Sequence, residues 1–450
     1  MSILIEPPAE ELLSLFHKTA KRVTAYGTIL NEKGIRSEDI TTINDFARLP
    51  ILDKYKTFQR FPIHELTLDG KVLPLRSVMT SSGQSGIFSF GLYDATSEKA
   101  SKQMMDQGLD AIFQVSTRST LLLNCLPMGV HLASEHCTLG ETSVRPDMAC
   151  ALMETFGQYH EQTIIVAETA FAKHLLEVGL QRGIDWAKSL VHMVIGGEMV
   201  AENARKYFET ILDTAPGDTQ RGLILCSMGS AEVGLNLFSE VPYQKSIILL
   251  RRALHEDQAL RQEVLGTSTT TVPAIFTYDP ETIYVEFIDG QMVTTPLDAA
   301  RRVPLIRYSS GDEGGFLEIP ASARDALKSA GIDYDTLSQV PLVLVRGRGD
   351  FASAGKERVY PEEVKEGIYH NAELCRFTTA NFRLASGKTK ATLRIQLAPG
   401  VESTRSLTNA FSKAVYHYVT CPLEITCQAY GPFGSGVGVD YERKYDYLGA

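Results

Sequence analysis

The sequence is poor in several things that would assign it quickly. It has no excess of basic charge. Lys and Arg total 44 and Asp and Glu 54, for a net charge of −10. That balance excludes a nucleic-acid binder, whose affinity needs clustered cations facing phosphates. It does not exclude a nucleotide-binding enzyme, because a few local donors hold one phosphate chain. No apolar run approaches the ~20 residues that cross a bilayer, so no membrane span is expected. The start, MSILIEPPAEELL, is acidic and lacks the basic region and apolar core of a signal peptide. Seven scattered cysteines do not form a disulfide framework and fit a reducing cytoplasm. His131, His136 and Cys137 lack the paired short spacings of a zinc site. No Gly-Lys-Ser/Thr follows the Ser/Gly loop at residues 80–86, so that loop is not a Walker loop.

What remains is an ordinary folded chain. Its 450 residues are 44% hydrophobic and 22% charged, enough for two or more domains and too apolar for disorder. Residues 9–35 and 95–115 have helical spacing. Leu49-Pro50 ends a segment, and Asp53 is placed to cap a helix after it. The runs 119–126, 163–168, 192–198 and 223–232 are short apolar strands alternating with helices, the texture of α/β layers. From about 266 the stretches TTTVPAIFTYD, TIYVEFIDGQMVTT and VPLIRYSS alternate apolar and polar residues, which predicts antiparallel sheet. VPLVLVRGRGDF at 340–351 is a strand ending in a hinge. Beyond it, a compact α+β pattern predicts a helix from Pro361, strands at 375–383 and 391–397, a helix at 403–419 and a strand at 422–430. The expected boundary separates a domain of residues 1–348 from one of 349–450.

Four segments carry chemistry. Thr80-Ser81-Ser82-Gly83-Gln84-Ser85-Gly86 joins two β-prone runs; glycines let backbone N–H groups approach an anion, and hydroxyls add donors. The same composition also makes a plain turn. Met228-Gly229-Ser230-Ala231-Glu232 follows a strand, where a carboxylate suits Mg²⁺, a hard cation that bridges to phosphates. Arg307-Tyr308-Ser309-Ser310-Gly311-Asp312 ends on an acid able to accept both hydroxyl hydrogens of a vicinal diol. Gly347-Arg348-Gly349-Asp350 precedes Val359-Tyr360-Pro361-Glu362-Glu363-Val364, a loop entering a helix at proline.

In order and spacing these segments, with Gly196-Gly197-Glu198 and the stretch ITTINDFARLPILDK, resemble the adenylate-forming superfamily of acyl-CoA synthetases, nonribosomal adenylation domains and luciferases. The likeness spans about residues 40–365 and is greatest to the short phenylacetate-CoA ligase branch. It implies an α/β fold: a large N-terminal adenylation core with a small β subdomain, followed by a small mobile α+β lid. It also implies ATP-dependent activation of a small aryl or related carboxylic acid to an acyl-adenylate, then transfer to coenzyme A. The cofactors are then ATP, Mg²⁺ and coenzyme A. Carried over residue by residue, Ser81, Ser82, Gly83, Ser85 and Gly86 border the phosphates, and Gly197 and Glu198 lie along the adenine. Met228, Gly229 and Ser230 border the nucleotide, Glu232 holds Mg²⁺, Asp312 the ribose and Arg348 the ribose or phosphate edge. Asp350 is the hinge. His131, Gly196 and Met228 meet the acid.

Three departures stand out. Gln84 replaces a threonine, Ser309 sits where arginine is common, and the usual Gly-Lys-x-x-Arg context of the catalytic lysine is missing. Lys444 is the best placed lysine, with Arg443 beside it; Lys356 and Lys413 are alternatives. Transfer to an acyl-carrier protein or a protein side chain, and a degenerate nucleotide-binding protein without ligase activity, stay open as readings. The branch often forms dimers, and a homodimer stays open as a reading here.

Overall fold

A computed structural model describes residues 8–83, 86–127, 129–267, 269–298, 300–431, 441–442 and 445–449. Gln84, Ser85, Met128, Arg443 and Lys444 therefore lie outside the described residues. The frame is one sheet of eleven strands that changes character halfway. A hairpin of β1 (Ser77–Thr80) and β2 (Phe90–Tyr93) stands apart from it. The parallel half contains β3 (Thr120–Asn124), β4 (Cys137–Glu141), β5 (Gln162–Ala167), β6 (Val191–Ile195) and β7 (Ile224–Ser230), in spatial order β4-β3-β5-β6-β7. β3 and β5 are buried along their whole length, as strands covered on both faces by helices must be.

The antiparallel half continues from β7 through β8 (Gly234–Ser239) and β9 (Ala274–Thr277), with β10 (Ile283–Ile288), β11 (Gln291–Pro296), β12 (Tyr308–Phe316) and β13 (Leu342–Gly347) beyond. After Gly347 the chain leaves this sheet. It forms a two-stranded ribbon, β14 (Ala352–Ala354) with β15 (Glu357–Val359), and a three-stranded sheet of β16 (Thr378–Ala385), β17 (Ala391–Leu397) and β18 (Leu423–Gln428).

The helices follow their sequence signals closely. Ala95–Phe113 starts at Asp94, whose carboxylate accepts from the N–H groups of Thr96 and Ser97. Pro361–Tyr369 begins with proline at its first position, and Glu363 reaches back to the Tyr360 N–H. Two local expectations change. Asp53 accepts from the Lys56 N–H at 2.8 Å, but a run of turns follows it rather than a helix. β4 escapes sequence reading because only its Gly140 is fully buried, which leaves no apolar run to notice.

The two halves of the sheet are joined by buried charge. Arg205, on the helix Glu202–Leu212, donates to Glu240 at 2.6 Å and to the Ile224 carbonyl. Glu240 in turn accepts from the Cys226 N–H at 2.8 Å. Arg205 is fully buried and Glu240 nearly so. Removing one partner of such a pair strands a charge away from water, which costs far more than an exposed pair contributes. Arg205→Ala is expected to destabilise the chain by about 3–5 kcal/mol in urea unfolding. A loss near zero would mean that Glu240 is not stranded.

Candidate functional site

The C-terminal ends of the parallel strands open on one cavity of about 1140 Å³. Open α/β sheets collect ligands at this edge. The hairpin β1–β2 delivers Ser81, Ser82 and Gly83 to it. Ser81 closes the loop on itself: its N–H donates to the Ser89 carbonyl, and its Oγ accepts from the Ser89 N–H, both at 3.0 Å. The Gly86 N–H donates to the Gly83 carbonyl at 2.8 Å. Ser85 and Gln84 lie outside the described residues. At Gly91 on β2, a Cβ would stand 2.1 Å from the Ala231 carbonyl oxygen, so the hairpin packs this closely only with glycine there. That approach sets the serine loop beside Glu232.

Glu232 sits in the turn between β7 and β8 and is buried. Tyr308 Oη donates to its Oε1 at 3.2 Å, and Arg301 holds its backbone carbonyl at 2.6 Å. Its buried Oε2 has no hydrogen-bond partner among the described residues. An orphaned carboxylate oxygen on a nucleotide-sized cavity fits a divalent cation, which takes one or two carboxylates and otherwise phosphates and water.

Tyr308 also explains the arginine before it. Arg307 has φ +50° and is buried. Its guanidinium bonds Glu286 at 3.0 Å and the carbonyls of Ala47 and Leu49. The Leu52 N–H donates to the Arg307 carbonyl at 2.9 Å, and Ser309 N–H donates to the Leu52 carbonyl at 2.8 Å. This stitch carries the following Asp53 and Lys54 to the cavity. Lys54 has its pKa lowered by burial and then by nearby Arg348, while Glu232 and Asp53 oppose the shift. Lys54, Arg348 and Glu232 are thus electrostatic neighbours, and sequence reading assigned Lys54 no role. Its only signal is its place after Leu-Pro.

Asp312 lines the cavity and accepts from Ser310 Oγ at 2.5 Å. Arg348 and Asp350 line it from an exposed bend, with Gly347 and Gly349 both at positive φ. Met228, Gly229 and Ser230 line it at the end of β7, and Gly196, Gly197 and Glu198 beyond β6. At Gly197, φ is +79° and a Cβ would meet Glu168 Oε1 at 2.4 Å. His131 reaches the rim with its side chain largely exposed, 3.1 Å from Glu141. Glu141 also accepts from Asn124 at 2.7 Å, so His131 closes a loop as much as it faces the cavity.

The C-terminal segment supplies a wall that sequence reading missed. Lys365, on the helix Pro361–Tyr369, pairs with Glu198 at 2.6 Å, with both side chains largely buried. Tyr447 donates to the same carboxylate at 3.2 Å, and Lys365 lies 4.3 Å from the centre of its ring. Tyr445, Asp446, Tyr447 and Leu448 line the cavity. Lys444, immediately before them, lies outside the described residues. Glu198 is therefore engaged in an ion pair across the seam. One residue on, Glu366 accepts from the N–H groups of Glu202 and Asn203 at 2.7 and 2.9 Å, capping the helix Glu202–Leu212. Lys356 and Lys413 are not among the residues that line the cavity.

No protein-family model matches the chain, and no curated protein matches it in sequence. Solved structures do match it. A 2-hydroxyisobutyryl-CoA ligase in the postadenylation state with R3-HIB-AMP is 14% identical, with 98% of this chain and 88% of that chain covered and a TM-score of 0.67. The same coverage and identity hold for that ligase in the postadenylation state with 2-HIB-AMP, TM-score 0.66. They hold also for that ligase with 2-HIB-AMP and CoA in the thioesterification state, where the TM-score is 0.53. The chain thus has the mixed α/β fold of these acyl-adenylate-binding ligases.

Burial raises the Glu366 pKa to about 7, the two N–H donors opposing it. An unfolded glutamate titrates near 4.3. The folded seam thus favours the protonated form. This contribution is full below about 4.3 and is lost as pH rises through about 7. Glu366→Gln mimics the protonated group. Its Tm relative to the wild type is expected to climb between pH 5 and 8.5. A difference that stays flat, or falls, would show that the Glu366 carboxylate is ionised throughout.

Proposed function

We propose that the chain is an AMP-forming acid–thiol ligase. The observation that carries this reading is convergence. The serine hairpin, the orphaned Glu232 oxygen, Asp312, Arg348 and the Gly196-Gly197-Glu198 turn come from separate parts of the sequence and border one cavity.

Activating a carboxylate with ATP brings an anion to a polyanion, so the chemistry is mostly charge management. Lys54 and Arg348 supply fixed positive charge beside Glu232. Glu232 would hold Mg²⁺, whose charge offsets the phosphate oxygens when bound. Ser81, Ser82 and Gly83, with Ser85 and Gly86, would border the phosphates, Asp312 the ribose hydroxyls, and Gly197 the adenine face. Met228, Gly229 and Ser230 would flank the nucleotide. The acid would lie by Gly196, Met228 and His131; the resemblance implies an aryl acid of the phenylacetate-CoA ligase-like branch. Lys444 is the lysine assigned to adenylation, because the residues after it border the cavity.

Residues 1–348 are read as the core and 349–450 as a lid that turns about Asp350, exchanging the groups that face the adenylate. The higher TM-score to the postadenylation state than to the thioesterification state supports a postadenylation orientation of the lid. Coenzyme A is the acceptor assigned, and a carrier protein or protein side chain is the alternative. Seven free cysteines, six of them buried, suit a cytoplasmic site. A homodimer stays an open reading.

ATP–pyrophosphate exchange over a panel of acids tests the reading. Glu232→Gln is expected to lower exchange about 100-fold or more and to raise the Mg²⁺ concentration required. Retained exchange with unaltered Mg²⁺ dependence would remove the metal role. Lys444→Ala is expected to abolish exchange; unchanged exchange would remove Lys444 from the adenylation step. Thioester formation with coenzyme A, compared with a carrier protein, identifies the acceptor.

A further inference from the structure

The cavity extends past the nucleotide side into a chamber between the helix Ala95–Phe113 and the parallel strands. One face of this helix lines it: Ser101, Met105, Gly108, Leu109 and Ile112, at helical spacing. Opposite stand Leu122 on β3, Val166 on β5, Val194 on β6 and Leu225 on β7, with Leu126 just beyond β3. The helix begins next to β2, on the serine-loop side, and runs away from it. At about 1.5 Å per residue it rises roughly 16 Å between Ser101 and Ile112. Buried Phe113 ends the helix against the His192 ring, with centroids 4.6 Å apart.

The charges on this helix are kept off the deep part. Glu98 and Lys102 lie in its first turns, and Lys102 pairs with Glu135 at 3.2 Å. Asp106 is occupied elsewhere, accepting from Ser134 Oγ and from the Glu135 N–H. His192 behind Phe113 has its pKa lowered to about 3 by burial and stays neutral. Beyond Lys102, no charged side chain of the helix or of β3, β5, β6 and β7 lines the chamber among the described residues.

Gly108 is the narrowest point of the argument. It sits in mid-helix, where glycine is the poorest choice apart from proline. A Cβ there would have only Asn236 Nδ2 within 4 Å, at 3.7 Å. The missing side chain therefore leaves space that belongs to the chamber.

Resting on the ligase reading, we propose that the acid is an uncharged-tailed aliphatic monocarboxylate of medium length. Its tail lies along Met105, Gly108 and Ile112, and Gly108 sets the depth. A second carboxylate or an ammonium on the tail would be buried where Asn236 is the polar group beside Gly108 and, among the described residues, no opposite charge lines the chamber from the helix beyond Lys102 or from the facing strands, and it is rejected for that reason. On the helix and the four facing strands the apolar lining is aliphatic apart from Phe113, which lies in tilted contact with His192, so an aliphatic tail matches these walls. Tyr93, Phe238 and Phe276 line the same cavity from other elements, and phenylacetate is therefore kept as a probe.

Two readouts test this with butyrate, octanoate, octanedioate and phenylacetate as probes. In thermal melts without nucleotide, octanoate is expected to raise Tm, octanedioate not, and Gly108→Leu to abolish the shift. In exchange assays, octanoate is expected to exceed octanedioate and phenylacetate about tenfold or more in kcat/KM. Gly108→Leu is expected to lower the octanoate-to-butyrate ratio by a similar factor, and Ile112→Ala to move the optimum to longer acids. Should Gly108→Leu fail to fold, the Ile112→Ala shift carries the test. Exchange that is best with phenylacetate or octanedioate overturns the chamber assignment and keeps the ligase reading. A Tm shift by octanoate that Gly108→Leu removes, with no exchange for any acid, upholds the chamber and overturns the ligase. No shift and no chain-length response overturn the chamber.

Discussion

The site hangs on one buried guanidinium. Arg307 is anchored by Glu286 and holds two carbonyls of the Ala47–Leu49 stretch, so it fixes where the N-terminal segment meets the large sheet. Lys54 faces the cavity because of that anchorage, and Tyr308, the next residue, reaches Glu232. A buried arginine with its donors occupied orients rigidly, because each unmade bond would carry a desolvation cost. The chain therefore spends its strongest hydrogen-bonding side chain on geometry, and the chemistry falls to neighbours.

The same division recurs at the seam with the C-terminal segment. Lys365, Glu198 and Tyr447 form a closed cluster, and Glu366 caps a helix on the far side. The first contact uses charge that would be expensive to leave unpaired in the interior, whereas at the second burial favours the protonated carboxyl. An acidic protein of net charge −10 thus keeps several of its cations inside, where they hold segments together or face the cavity.

What was legible in the sequence followed from locality. Strands β3, β5, β6 and β7, the turn at Gly196–Glu198 and the cap at Pro361 are written in contiguous residues, and each was placed within a few positions. Met228 to Ser230, Asp312 and Arg348 were found through motif order and do border the cavity. Lys54, Arg307, Tyr308, Lys365 and Tyr447 were not assigned, because each acts through a partner tens to hundreds of residues away. A lysine in a helix reads as solvated until its carboxylate is known. Glu198 shows the converse: its motif led to the cavity wall, and the ion pair it makes across the seam was invisible.

The cluster at Glu198 carries one more consequence. Residues of the C-terminal segment and of the rest of the chain line the same cavity, so docking of that segment and binding of any ligand in the cavity are thermodynamically linked. Linkage is reciprocal: whatever a ligand contributes to holding the segment, the docked segment contributes equally to holding the ligand.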